Sequence, residues 1–78
     1  MKIIRLKKTP LDLHGVKHID ALTAVESYII RNRNLLPLKI ITGNSEKMKD
    51  LVTKCIKSNN FNYHIGDQYN KGYIIVKK

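Results

Sequence analysis

Two short stretches of this 78-residue chain carry residue types that can act on a phosphate ester. The first is Leu11-Asp12-Leu13-His14-Gly15. An imidazole titrates near neutrality and can take up or give back a proton at physiological pH. A carboxylate two residues before it shares its face on an extended chain, because strand side chains alternate with a period of two. From that position Asp12 could orient the imidazole of His14, stabilise its charged form or hold a metal ion. The second stretch is Thr42-Gly43-Asn44-Ser45, followed by Glu46 and Lys47. Gly43 allows a phosphate to approach the backbone closely. A helix opening after Ser45 turns unbonded N–H groups toward an anion. Lys47 in its first turn could neutralise the phosphate, against the opposing charge of Glu46. The expected site is a shallow phosphate seat beside a proton-transfer group. Asp12 and His14 are the candidate catalytic pair; Gly15, Thr42, Gly43, Asn44, Ser45 and Lys47 are the candidate phosphate or nucleic-acid contacts.

These stretches meet only if they end neighbouring parallel strands, and the surrounding pattern provides such strands. Leu11 to His14 alternates apolar and polar, and Gly15 ends it. A helix is predicted from about His18 to Asn32, with Ile19, Leu22, Val25 and Ile29 as its buried stripe, Asp20 in its first turn and Arg31 in its last. Leu38 to Thr42 is apolar and β-branched, and reads as a central strand. The second helix spans Glu46 to Ser58 behind a Ser45 N-cap, with Met48, Leu51, Val52, Cys55 and Ile56 on one face. Phe61 to Ile65 alternates again, residues 66–72 form a turn, and Tyr73 to Val76 is the last strand, in an antiparallel hairpin with the third. The predicted fold is an α/β (α+β) two-layer sandwich, β-α-β-α-β-β, with a mixed four-stranded sheet and both helices on one face. A basic N-terminal extension over residues 1–9, with a marginal edge strand around Ile4 and Leu6, precedes the domain at 10–78.

Leu-Asp-Leu-His-Gly at 11–15, followed after four intervening residues by Asp20-Ala21 opening a helix, resembles the signature of the small MutS-related (Smr) domain. Thr42-Gly43-Asn44-Ser45 stands where that family has a Thr-Gly-x-Gly loop, and the resemblance runs over residues 10–77 in the family's element order. Here Asn44 and Ser45 replace the usual Lys or Arg and Gly, so the second motif is degenerate. The resemblance implies an endonuclease domain that nicks DNA or cleaves RNA, in some members on messenger RNA at stalled ribosomes. It carries the cleavage role to Asp12 and His14, and nucleic-acid contact to Thr42 and Gly43.

Charge agrees with an anionic partner: 15 Lys and Arg against six Asp and Glu give a formal +9. RNA or DNA is the expected partner, with the ribosome as a larger one. A magnesium ion (Mg2+) is a candidate cofactor, above all for DNA, where water must be the nucleophile. The alternative function is a non-catalytic module binding nucleic acid or the ribosome. Lone Cys55 excludes an internal disulfide and a cysteine zinc cluster, and its place in the helix stripe makes it a core thiol. No stretch approaches the roughly 18–20 apolar residues of a membrane span, so a cytoplasmic protein with no membrane partner is expected. His18 and His64 read as surface residues, Tyr28 and Tyr63 as core or core-edge. Tyr69 and Tyr73 flank the last turn, where they could stack on an unpaired base.

Overall fold

Alternating side chains set the strands, and a computed structural model describing residues 9–78 shows how they pair. The expected strand near Ile4 lies outside the described residues. The elements are β1 (Leu11–Asp12), α1 (His18–Arg31), a 3-10 turn at Arg33–Leu35, β2 (Leu38–Ile41), α2 (Glu46–Ser58), β3 (Asn62–Ile65) and β4 (Tyr73–Lys77). The sheet order is β1-β2-β4-β3. β1 and β2 are parallel, with Leu11 opposite Ile40. β4 runs antiparallel to both β2 and β3. The result is the expected α+β two-layer sandwich, a mixed four-stranded sheet with two helices.

Period two gives the sheet two unlike faces. Leu38, Ile40, Ile74 and Val76 point inward with Leu13 and join one buried cluster with Ala21, Val25 and Ile29 of α1 and Met48, Val52, Cys55 and Ile56 of α2. The other parity points away from both helices: Asp12, Ile41 and Tyr73 stand in one row across the strands, and Lys39, Ile75 and His64 in the next.

The α1 stripe differs from expectation. Ile19 is 82% exposed and Leu22 46%, while Ala21, Val25 and Ile29 are fully buried. At 3.6 residues per turn Leu22 is rotated about 60° and Ile19 about 120° from Val25, so Leu22 rides the edge of the contact and Ile19 leaves it. Ala21 and Ile29 flank Val25 evenly and meet the sheet. α2 matches its expected bounds: Ser45 Oγ accepts the Met48 N–H at 3.1 Å, and Glu46 occupies the first turn.

Candidate active site

β1 stops sooner than its alternation suggests, and the cause is Asp12 itself. Leu13 N–H still bonds the Ile41 carbonyl at 2.9 Å, which holds the chain beside β2 and buries Leu13. The next amide, that of His14, donates instead to Asp12 Oδ1 at 2.9 Å. The chain then turns: Val16 N–H bonds the Leu13 carbonyl at 3.0 Å, with Gly15 at φ +79° in the third position, as a type II turn demands. Asp12 and His14 are therefore joined by a side-chain-closed turn, not by the strand pleat.

The same carboxylate oxygen bonds His14 Nδ1 at 2.7 Å. One group thus fixes both the backbone and the ring of His14. The His14 amide, and then its ring, hold the Asp12 carboxyl below the usual carboxylate range. An ionised carboxylate only accepts hydrogen bonds, so Nδ1 carries a proton, and in the neutral ring Nε2 presents a lone pair. Both side chains remain accessible, at 67% for His14 and 57% for Asp12. That is the arrangement of a general base with an orienting carboxylate.

Nε2 faces the second loop. Gly43 has φ +71°, and a Cβ placed there would lie 3.3 Å from His14 Nε2. The position therefore favours glycine twice, by conformation and by the closeness of the imidazole. The two stretches singled out in the sequence meet at this contact. Thr42 differs from its expected contact role in the direction of its hydroxyl. It is 6% exposed, and its Oγ1 donates to the Gly43 carbonyl at 2.9 Å and leans on that of Gly72 at 3.3 Å. It shapes the loop from inside. Asn44 and Ser45 are exposed at the start of α2, and Ser45 Oγ is engaged as the cap. Gly15 is exposed, with open space where a Cβ would stand. Lys47 lines a shallow groove with Glu46, Lys49, Asp50, Thr53 and Ile65, toward the β3 edge and away from the β1 edge that carries His14.

A third loop belongs to the same rim. Because β4 lies between β2 and β3, residues 66–72 arrive beside the end of β2. The Gly72 carbonyl accepts both the Thr42 and the Gly43 N–H at 2.9 Å. Asp67 Oδ1 accepts the amides of Tyr69 and Asn70 at 2.8 and 2.7 Å, and Asp67 Oδ2 accepts the Tyr73 hydroxyl at 3.1 Å. Asn70 Oδ1 takes the Gly72 amide at 2.8 Å. The amides of Asn70 and Tyr69 hold the Asp67 carboxyl low, and Asp67 in turn pushes the Tyr73 phenol up. The local signal was the spacing of Asp67, Asn70 and Gly72, typical of side-chain-closed turns; its place on the rim depends on strand order.

Among the described residues no three His, Cys, Asp or Glu side chains cluster as a metal site. A magnesium ion here would have Asp12 as its protein carboxylate and would complete its shell from water and phosphate, as that ion commonly does. Cys55 is buried, and burial pushes its thiol up, away from nucleophilic use. His18 and His64 are exposed. No helix among the described residues is long and apolar enough to cross a membrane. Comparison with protein-family models gives no match, and comparison with curated proteins gives none either.

Proposed function

We propose that this chain is an Smr-like endonuclease domain that cleaves phosphodiester bonds in RNA. The carrying observation is the Asp12–His14–Gly43 contact: a base oriented by an ionised carboxylate, with its accepting nitrogen against a glycine loop. RNA is the substrate this pair suits, because the 2′-hydroxyl provides an internal nucleophile. His14 Nε2 takes the 2′-hydroxyl proton as the 2′-oxygen attacks phosphorus. The P–O5′ bond breaks, the 5′-oxygen takes a proton from water, and a 2′,3′-cyclic phosphate remains. Asp12 holds the imidazole in the accepting tautomer and balances its charge once protonated. The exposed start of α2 at Asn44 and Ser45, next to Gly43, seats the phosphate, and the +9 chain draws the polyanion in. A cytoplasmic site of action, on RNA free or at the ribosome, fits a chain with one buried thiol.

A second reading rests on a specific feature. Asn44 and Ser45 stand where the resembled family has a cation and a glycine, which favours a module that binds RNA or DNA without cutting it. One assay separates the two. Purified chain is incubated with labelled single-stranded RNA, hairpin RNA and supercoiled plasmid, with and without magnesium, beside Asp12→Ala and His14→Ala. Cleavage lost in both variants with binding retained supports the enzyme. Salt-sensitive binding without product supports the module. Equal cutting by all three proteins marks a contaminant and removes the site.

A further inference from the structure

We infer that the sheet face turned away from the helices is the track for an unpaired RNA strand leading to the cleavage rim, an inference that rests on the proposed RNA cleavage at His14. The strand register puts Asp12, Ile41 and Tyr73 in its first row, Lys39, Ile75 and His64 in the second, and Asn62 and Lys77 in the third. Neighbouring strands are about 4.8 Å apart, so Tyr73 on β4 stands about 10 Å from Asp12 on β1. The face therefore continues directly from the catalytic pair.

Its chemistry is that of a single-strand binding surface. A polar alternation would leave a solvated sheet face hydrophilic; here Ile41, Tyr73 and Ile75 form a half-buried apolar centre between Lys39, His64 and Lys77, all exposed. Lys39 Nζ lies 4.6 Å from the centre of the Tyr73 ring, and the ring is tied through its hydroxyl to Asp67. The ring thus holds the cation in place on the face. Splayed bases stack on planar side chains, and fixed cations meet the phosphates between them.

The carboxylates fall unevenly between the two sides. Asp20, Glu26, Glu46 and Asp50, four of the six carboxylates, lie on the helices. Helical cations are partly committed there, Lys49 to Glu46 at 3.6 Å and Lys54 to Asp50 at 3.1 Å. The other two carboxylates stand at the open face and its rim, Asp12 bonded to His14 and Asp67 bonded to the Tyr73 hydroxyl. A polyanion meets fewer carboxylates on this side, and both are engaged in hydrogen bonds.

The test uses the full chain carrying His14→Ala, so that bound RNA stays intact, and a fluorescein-labelled oligouridine of about 12 nucleotides, within the footprint of small single-strand binders. Lys39→Glu with Lys77→Glu should weaken binding at least about tenfold and flatten the log–log salt dependence by about 1.4, since each lost phosphate contact removes about 0.7. Lys57→Glu on the exposed side of α2 should change affinity less than about twofold. A hairpin RNA should bind more weakly than the oligouridine. Amide shifts in the labelled protein should concentrate at Ile41, His64 and Ile75. Equal losses from Lys57→Glu, shifts confined to the helices, or equal affinity for the hairpin overturn the track. Cleavage by the chain with native His14 is scored separately: cutting with an indifferent open face overturns the track alone, and binding on the face without cutting overturns the cleavage site alone.

Discussion

Asp12 and Asp67 are the same device used twice on one rim, and they differ in the group that each carboxylate holds. Both are exposed carboxylates that close a turn by accepting backbone amides a few residues ahead. Both are held below the usual range by those bonds. Asp67 spends its remaining oxygen on the Tyr73 hydroxyl, a group that stays neutral near pH 7. Asp12 spends its second bond on an imidazole, whose other nitrogen is left facing Gly43. The clasp has no reactive end; the dyad has one. Equal turn geometry thus presents a proton-transfer group only where the partner is an imidazole.

The sharpest way to break that contrast is to remove the reactive end. His14→Ala should lower RNA cleavage by about 10²–10⁴-fold, the usual contribution of a general base, while oligouridine affinity is unchanged. A variant that cuts normally would make Asp12 a clasp like Asp67. Next in size is Asp12→Asn. The amide can still accept the His14 N–H, so the turn survives, but the neutral group no longer stabilises an imidazolium. Single-turnover cleavage should fall at least about tenfold with little change in melting temperature. Cleavage at the native rate would show that orientation, not charge, is what the carboxylate contributes.

Asp67→Ala tests the other side. Two amides and a phenol lose their acceptor, so loop 66–72 loosens and the thermal midpoint should fall by a few degrees. The rim keeps its connection through the Gly72 carbonyl, which accepts Thr42 and Gly43 independently of Asp67. Cleavage should therefore stay within about threefold of native, as for a change that touches neither reacting group. A loss as deep as that of His14→Ala would make the third loop part of the reaction.

The legible part of this rim was its periodic part. The α2 bounds, the Ser45 cap and the meeting of the two motif loops follow from apolar spacing and from the rule that parallel strands end on one edge. The α1 face was half legible, because Ile19 and Leu22 satisfy a three- and four-residue pattern while the sheet contact centres on Val25. Two features lay beyond pattern. Alternation placed Asp12 and His14 on one strand face, whereas competition between the carboxylate and the ladder for the His14 amide ends β1 at Asp12. Asp67 and Gly72 join the rim because β4 inserts between β2 and β3, a long-range pairing that no local spacing encodes.

The smallest expected effect comes from acid, and it treats both carboxylates alike. Each has a folded-state pKa below its unfolded value, so each contributes stability that is present above the unfolded aspartate range, near 3.9, and is lost as pH falls through the lower folded value. Thermal midpoints should therefore be flat from neutrality to about pH 5 as far as these two groups are concerned, and decline below about pH 4. Asp67→Asn should shallow the acid decline, since the amide cannot titrate. Asp12→Asn should do the same, since its amide and ring bonds to His14 are what lower the native group. Carboxyl-carbon NMR titration checks the premise directly: both midpoints should fall below the ordinary aspartate value near 3.9. If Asp12 alone titrated in the ordinary range, its bonds to His14 would be too weak to hold the imidazole, and the distinction between dyad and clasp would reverse.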